Sequence, residues 1–393
     1  MCFIKKLVVI LTIIQLVSID TSYAKAKQSI AIAYLSQEQS PPALVSNLDP
    51  FIANQGVVGA ELAIADNNTT GKFTAQQFEL NRFIVPLSGD VIDVFQKKIA
   101  GKFYALVVNL PAKQLQQLVE LPAAKNIVFF DVATIDDSLR NEQCRANVLH
   151  LLPSRAMRAD ALAQYMVKKR WKKWFLVVGN TPEDKLFAES LHRAAKKFGM
   201  DIVQEKTWEH DFEARRNAQS DVSVFTQVDD YDVLVVADEQ GLFGEYLDYR
   251  TWLPRPVIGT QGLIATAWHK THDQWGATQI QHRFLKAANR PMEEQDYSAY
   301  LAVRAIGEAV TRTKAGDAQT LKQYLLSDKF ALQGYKGNPL SFRAWDGQLR
   351  QPILLAAPRS MVAVAPIDGF LHQHTELDTL GYDEPESLCK GYK

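Results

Sequence analysis

Three aspartates in the middle of the chain could take part in acid–base chemistry. Asp131 directly follows the apolar run Ile127–Phe130, and Asp136 and Asp137 come a few residues later. Carboxylates can act as general acid or base when a histidine, cysteine or lysine stands at a recognisable spacing beside them. No such partner is recognisable here, so the sequence offers no catalytic pair and we predict that the protein is not an enzyme.

Other motifs that carry chemistry are missing or incomplete. The chain has no dinucleotide fingerprint, no phosphate-binding loop, no hydrolase elbow and no zinc-protease motif. Asp66–Gly71 opens like a calcium loop, but Gln77 stands where a bidentate glutamate is needed, so we interpret it as a turn that ends a helix. His372 and His374 lack a third ligand at a suitable spacing, and we predict no metal site.

The overall charge gives no argument for nucleic acid. The chain has 44 basic and 44 acidic residues, so its formal net charge is zero. The densest basic run, Lys168–Lys173, ends a predicted helix, where cations complement the helix dipole. We therefore predict no nucleic-acid partner.

The first residues have the features of a secretory signal. Lys5 and Lys6 precede the apolar stretch Leu7–Val17, and both Ser22–Ala24 and Ala24–Ala26 offer a small-residue cleavage site. This stretch is shorter than the roughly 20 residues that span a membrane. We predict a signal peptide over residues 1–26 and a mature protein that is soluble outside the cytoplasm.

The mature chain would keep two cysteines, Cys144 and Cys389. In an oxidising compartment such a pair is more often a disulfide than two free thiols. The bridge would tie the C-terminal tail to the middle of the chain. For so long a loop the chain-entropy model gives a stabilisation of about 4–5 kcal/mol as an upper figure.

Strands and helices alternate in the part of the chain that precedes and contains these residues. Apolar runs predict strands at Ser29–Leu35, Arg82–Leu87, Tyr104–Val108 and Ile127–Phe130. Helices are predicted between them over Phe51–Asp66, over Val91–Lys98 and from Pro111 onward. This alternation predicts an α/β fold with a doubly wound parallel sheet.

The same alternation starts again in the second half. Strands are predicted at Phe175–Val178, Ile202–Trp208, Asp232–Val236, Val257-Ile258, Pro352–Ala357 and Met361–Ala365. Helices are predicted at Pro182–Phe198, Thr278–Ala288, Tyr297–Lys314 and Ala318–Leu326, and Asp346-Gly347 is a hairpin turn signal. Because 393 residues suit two domains, we predict two doubly wound parallel-sheet lobes joined by crossing strands. The first crossing is expected within Ile127–Asp160.

This arrangement resembles the type I periplasmic solute-binding proteins, in particular the branched-chain amino-acid receptors. Val58–Asp66 with Gly71 is similar to the family's first-helix pattern, and Val132–Leu139 is similar to its segment after the fourth strand. Gly259–Gly262 is similar to the family's second crossing. The resemblance implies a monomer in the periplasm that closes around one solute by hinge bending and serves the permease of an ABC importer.

The resemblance also implies how the chain divides into lobes. Residues 27–145 and 262–340 would form the N-terminal lobe. Residues 146–261 and 341–393 would form the C-terminal lobe and its tail.

A narrower resemblance concerns the subgroup associated with PQQ-dependent alcohol dehydrogenase systems. The segments that carry it are Cys144–His150, Pro153–Met157, Thr260–His269 with Trp275, Arg283-Phe284, and the tail around Gly381-Tyr382 and Cys389. It implies that the bound solute is pyrroloquinoline quinone (PQQ), as cargo rather than as a catalytic cofactor. The alternatives are a binding protein for another small solute, such as an amino acid or aromatic acid, and a ligand-sensing module for a sensor kinase.

The resemblance places the ligand contacts at the ends of strands. The family's positions correspond here to Asn109, Thr134, Asp238 and Gln261. Gln261 stands where an acidic residue usually meets the ligand's ammonium group, which argues against an α-amino acid. PQQ is a flat aromatic tricarboxylate that needs a stacking face and cations. The candidates near the predicted crossings are Tyr34, Arg140, Arg155, Trp268, Trp275 and Arg283. Surface ion pairs are the alternative for the arginines, and core packing is the alternative for the tryptophans.

Overall fold

The computed structural model describes residues 27–41, 51–209, 222–248 and 250–392. The predicted signal peptide lies outside these residues. None of the helices described is long and apolar enough to cross a membrane.

The described chain alternates strands and helices from β1 onward. Its strands are β1 (Gln28–Gln37), β2 (Gln76–Val85), β3 (Ala105–Asn109), β4 (Val128–Asp131), β5 (Val148–His150), β6 (Lys173–Val178), β7 (Asp201–Thr207), β8 (Val233–Ala237), β9 (Val257–Gly259), β10 (Leu263–Thr266), β11 (Leu332–Gln333), β12 (Pro339–Phe342), β13 (Leu349–Arg350), β14 (Ile353–Ala357) and β15 (Ser360–Ala365). Its α-helices are α1 (Val57–Thr74), α2 (Val91–Val94), α3 (Ala112–Val119), α4 (Arg155–Lys169), α5 (Pro182–Phe198), α6 (Ala277–Ala288), α7 (Glu294–Thr313) and α8 (Ala318–Leu325).

The first lobe is built on a five-stranded parallel sheet with the order β2-β1-β3-β4-β5. Helices α1, α6, α7 and α8 contribute to the core on one face. The segment from α2 to α3 contributes to the core on the other face. Because both faces are covered, the central strands β3 and β4 consist almost entirely of buried apolar residues, as expected for a parallel sheet.

The second lobe is built on a seven-stranded sheet with the order β15-β14-β10-β9-β8-β6-β7. The strands from β10 to β7 are parallel to one another, whereas β14 and β15 form an antiparallel hairpin at one end. Helices α4 and α5 cover one face. The predicted fold class, two α/β lobes with doubly wound parallel sheets, is therefore confirmed.

The first helix differs from its prediction. It begins at Val57 rather than Phe51 and continues through Asn67, Asn68 and Gly71 to Thr74. The Asn67 amide is buried against α7 and donates to the carbonyl of Val303 at 2.8 Å. These polar residues therefore join α1 to its neighbours instead of ending it, and the helix ends at Ala75 in the left-handed conformation.

The second crossing was also placed wrongly. Gly262 has a φ of +70° and closes a tight turn, in which an added Cβ would lie 2.2 Å from the carbonyl oxygen of Val257. Strand β10 follows this turn and pairs with β9 in the same sheet. The chain therefore leaves the second lobe only after Thr266. The predicted bound between residues 145 and 146 also lies too early, because β5 pairs with β4 in the sheet of the first lobe. The remaining predicted bounds of the lobes stay a prediction.

Buried polar side chains hold the connections between the lobes together. Gln348 donates to the carbonyl of Leu152 at 3.0 Å, and Gln351 donates to the carbonyl of Leu151. The buried amino group of Lys336 donates to Gln351 at 2.7 Å and to the carbonyl of Pro352 at 2.9 Å. The connection from β5 to α4 is thus fastened to the connection from β13 to β14.

The C-terminal tail connects both lobes on the side of α4 and α5. Its Gly381 donates to the buried Asp160 of α4 at 2.9 Å. Further along, Cys389 forms the predicted disulfide with Cys144, with the two Cα atoms 5.5 Å apart. The predicted hairpin turn at Asp346-Gly347 joins β12 to β13.

Candidate functional site

A cavity of about 620 Å³ lies between the two lobes. The first lobe contributes Ala133 and Ile135, which follow β4, and Glu293, Glu294 and Gln295 at the start of α7. The second lobe contributes the segments that follow β8 and β9, namely Asp238–Gly241 and Thr260-Gln261. The cavity therefore lies outside the carboxyl ends of parallel strands, where open α/β sheets bind ligands.

Asp238, one of the predicted ligand contacts, lines this cavity and also shapes its wall. Its carboxylate accepts hydrogen bonds from the backbone N–H groups of Leu242, Phe243 and Gly244 at 2.9, 2.8 and 2.7 Å. The Thr260 hydroxyl accepts the backbone N–H of Asp238 at 2.9 Å. Asp238 thus holds the loop after β8 in position.

Gln261 and Trp268 are the other predicted contacts that line the cavity. Gln261 packs on Gly244, and a Cβ added to Gly244 would lie 2.2 Å from the Cγ atom of Gln261. Trp268 is 2% exposed and stacks on Tyr297 with ring centroids 4.4 Å apart. Most of the Trp268 side chain is therefore buried in the core, yet its indole nitrogen has no hydrogen-bond partner among the described residues.

Arg155 lies beside the cavity and joins the two lobes. Its guanidinium donates to both carboxylate oxygens of Glu239 at 2.7 Å and to Asp136 at 2.9 Å. Burial opposes the charge, but these two carboxylates raise the pKa of Arg155 above its ordinary value. Burial also raises the pKa of Glu239 in spite of its arginine partner. The positive charge of Arg155 is thus already balanced by Glu239 and Asp136.

A second arginine, Arg158, lines the cavity and forms an ion pair with Glu294. Arg158 donates to both carboxylate oxygens of Glu294, at 2.9 and 3.0 Å. The same carboxylate accepts the Thr266 hydroxyl at 2.8 Å and the Ala267 N–H at 3.0 Å. Burial opposes ionisation of Glu294, but Arg158 and these donors outweigh it and lower the pKa. The group joins α4, β10 and α7, which come from different lobes.

Glu293 lines the same cavity without an ion pair to any residue that the structure describes. Burial raises the pKa of this carboxyl to about 7, and the neighbouring Asp296 and Glu294 contribute to the rise. His269 also faces the cavity, and burial and the nearby Lys270 lower its pKa, which favours the neutral imidazole. The lining is therefore acidic in character.

Arg140 and Thr134 belong to a buried network near the first crossing and do not line the cavity. Arg140 donates to the carbonyl of Thr134 at 2.8 Å and to Gln348 at 2.8 Å. In the same network His150 Nδ1 lies 2.7 Å from Asp131. The structure thus gives Asp131 the histidine partner that the sequence did not reveal, but both side chains are buried away from the cavity, as in a structural pair.

Tyr34 of β1 meets Asn109, the last residue of β3, away from the cavity. Asn109 donates to the Tyr34 hydroxyl at 3.1 Å and to the carbonyl of Gln55 at 3.0 Å. Together they line a separate hollow of about 70 Å³.

Trp275 and Arg283 also lie apart from the cavity lining. Trp275 is 51% exposed and packs beside Gly337. Arg283 forms an ion pair with Asp66 of α1. Both Trp268 and Trp275 precede α6, which begins only at Ala277.

Sequence reasoning missed four of the five carboxylates that line the cavity, and it missed the arginine that pairs with Glu294. These are Glu239, Glu245, Glu293, Glu294 and Arg158. Only Glu239 had a recognisable signal, since it follows a buried strand as Asp238 does. No group of three or more histidine, cysteine or acidic side chains that could hold a metal ion occurs in the described part of the chain.

Comparison with solved structures finds the same fold over nearly the whole chain. A branched-chain amino-acid ABC transporter periplasmic ligand-binding protein from Burkholderia xenovorans LB400 superposes with a TM-score of 0.69 at 15% identity, over 93% of this chain and 100% of its own. A periplasmic binding protein from Burkholderia mallei gives a TM-score of 0.68 at 16% identity over the same shares. An ABC transporter solute-binding protein from R. palustris in complex with benzoate gives 0.64 at 12% identity, again over 93% and 100%.

Sequence comparison agrees with the fold. A search of curated proteins gives no match. The family model described as periplasmic binding protein matches residues 90–360, which is more than half of the chain. This chain therefore belongs to the periplasmic binding protein family.

Proposed function

We propose that this protein is the solute-binding component of an ABC importer and that it binds one small organic molecule in the cavity between its lobes. The observation that carries the proposal is the cavity of about 620 Å³, whose wall comes from both lobes at the ends of their strands. Binding proteins of this family take small molecules and work with ABC transporter permeases. Hinge closure around the solute would present a surface made from both lobes to the permease.

The lining gives little support to PQQ as the solute. A tricarboxylate needs several unpaired cations, preferably arginines. Arg155 and Arg158 are paired with Glu239 and Glu294, and Arg140 and Arg283 do not line the cavity. Another small solute therefore fits the site better, although PQQ remains one of the ligands to be tested.

Binding in this cavity is tested by filling it. Ala133 lines the cavity and is partly exposed, so Ala133→Phe should occupy the space next to β4 without disturbing the core. Ala123→Phe makes the same change at an exposed position outside the cavity and serves as the matched control. Protein purified from the periplasm under native conditions should carry one small molecule, detected by native mass spectrometry. The control should keep it, and Ala133→Phe should lose it.

Two outcomes would contradict the proposal. One is retention of the bound molecule by Ala133→Phe at the occupancy of the control, which would place the molecule elsewhere. The other is a wild-type protein that carries no small molecule and whose melting temperature does not change with amino acids, aromatic acids, organic amines or PQQ.

The maturation and assembly of the protein belong to the same proposal. We infer that residues 1–26 are removed on export, which N-terminal sequencing of the periplasmic protein would test. We also infer that the mature protein is a monomer, and light scattering would contradict this if it gave twice the mass of the mature chain.

A further inference from the structure

The charges around the cavity are strongly unequal. Five carboxylates line it: Asp238, Glu239, Glu245, Glu293 and Glu294. The basic groups in the lining are one arginine, Arg158, and one histidine, His269. An anionic solute would meet repulsion in such a cavity, whereas a cationic solute would be attracted.

Three of the five carboxylates are already satisfied by the protein. Asp238 accepts three backbone N–H groups. Glu239 is paired with Arg155, and Glu294 is paired with Arg158. These three positions are thus part of the scaffold, and Arg155 and Arg158 are used by their own glutamate partners.

The two remaining carboxylates come from opposite lobes. Glu245 stands on the short helical turn Gly244–Tyr246 of the second lobe and is exposed. Glu293 stands at the start of α7 in the first lobe, where it forms a capping box with Asp296, and is partly buried. Neither forms an ion pair with another described residue. Two cations, Lys270 and Arg290, act on the Glu293 carboxyl from nearby, and Arg290 is held by Asp296 at 2.6 and 2.9 Å.

A separate feature of the lining is an unused hydrogen-bond donor. The Trp268 side chain is 2% exposed and lines the cavity, and its indole N–H has no acceptor among the described residues. A buried donor without a partner costs free energy, so such groups are commonly satisfied by water or ligand. The amides of Gln240, Gln261 and Gln295 add further polar groups around the same space.

We propose that the solute is a small organic cation, with an amine or guanidinium group held between Glu293 and Glu245 and a neutral oxygen that accepts the Trp268 indole N–H. This inference rests on the proposed function, because it names the class of solute for the same cavity. It also accounts for ligand-driven closure. Without solute the two carboxylates repel each other as the lobes approach, whereas a cation between them attracts both lobes.

The proposal is tested by titration of protein that has been unfolded and refolded to remove bound solute. The cationic probes are agmatine, tyramine and glucosamine. The other probes are benzoate, PQQ and leucine. We expect saturable one-to-one binding of at least one cationic probe, with a rise in melting temperature, and no response to benzoate or PQQ.

Two variants connect this binding to the named residues. Glu293→Gln should weaken binding of the cationic probe at least tenfold, whereas Glu189→Gln, which makes the same change at an exposed position of α5, should leave it unchanged. Trp268→Phe keeps an aromatic ring on Tyr297 but removes the donor, and it should weaken binding severalfold. Equal affinities in wild type and Glu293→Gln would overturn the proposal.

A last variant needs no added solute. Glu245→Lys places an ammonium group in the cavity that Glu293 lines from the other lobe, whereas Glu245→Gln only removes a charge. We expect the empty Glu245→Lys protein to have a higher melting temperature and a smaller radius of gyration than Glu245→Gln. Identical behaviour of the two variants would overturn the inference.

The two proposals fail in distinguishable ways. One-to-one binding of benzoate, PQQ or leucine, lost in Ala133→Phe, would overturn the cationic solute and leave the solute-binding function standing. A bound molecule that Ala133→Phe does not displace would count against both proposals.

Discussion

Replacing Glu293 by glutamine should change how the stability of the empty protein depends on pH. Burial and the neighbouring carboxylates Asp296 and Glu294 raise the pKa of Glu293 to about 7, whereas Lys270 and Arg290 act in the opposite direction. A carboxyl whose pKa is higher in the folded state stabilises the fold at low pH. That contribution is complete below its unfolded pKa of about 4.5 and is lost as the pH rises to about 7.

The size of the effect follows from the same values. Each tenfold difference in proton affinity corresponds to about 1.4 kcal/mol, so a pKa raised from 4.5 to about 7 gives a limit of roughly 3 kcal/mol. The side chain is partly exposed, and solvent screening reduces this to about 1–2 kcal/mol. Glutamine carries no charge at any of these pH values, and it keeps the backbone N–H that donates to Asp296 at 3.1 Å.

The assay is thermal unfolding of empty wild type and Glu293→Gln at pH 5 and pH 8. The difference in melting temperature, variant minus wild type, should increase by a few degrees from pH 5 to pH 8. Losing the carboxylate also affects the start of α7. The part of this effect that does not depend on pH is the same at pH 5 and pH 8, so it cancels when the two pH values are compared. The exposed Glu189→Gln provides the control for the charge change itself. A difference between Glu293→Gln and wild type that is the same at both pH values would refute the reasoning.

Three further predictions concern the scaffold. Cys389→Ser opens a loop closed across 245 residues and should lower the free energy of unfolding by up to about 5 kcal/mol, whereas alkylation of the denatured, unreduced wild type should find no free thiol. Arg158→Met leaves Glu294 buried without its cation and should cost about 3–5 kcal/mol, whereas the double variant with Glu294→Gln should recover part of the loss in a double-mutant cycle. Gly71→Ala would put a Cβ 2.3 Å from the carbonyl oxygen of Gln76 and should lower stability by at least about 1 kcal/mol in urea titrations, although alanine normally favours helices. An unchanged midpoint would contradict this contact.

Elements whose residues carry a strong local pattern were predicted well from the sequence. Helix α5 has a threonine cap, proline in its first turn and glycine after its last, and its predicted bounds are those of the structure. Strand β3 is a short apolar run that ends at Asn109, and β8 is one that is followed by Asp238. The prediction of both strands was accurate within a residue. Such signals are local, because capping and strand burial depend on neighbours in the sequence.

Predictions that depended on distant contacts were less successful. The asparagines of α1 favour a turn by their local preferences, but α7 and β2 supply hydrogen bonds that keep them in a helix. Gly259–Gly262 has the composition of a crossing between lobes, yet β10 returns to the sheet beside β9. In both places tertiary contacts outweigh local preference.

The sequence by itself determined the α/β alternation, the two-lobed class of fold and the pair of cysteines that could form a disulfide. Apolar periodicity and cysteine count are properties that can be read along the chain. Only the tertiary structure decided which charged groups face the cavity. Arg158 and Glu294 are 136 residues apart in sequence and meet only because α4 and α7 are brought together. Glu293, the residue before Glu294, has no such partner in the part of the chain that the structure describes, because ion pairing depends on distances in space that sequence spacing does not encode.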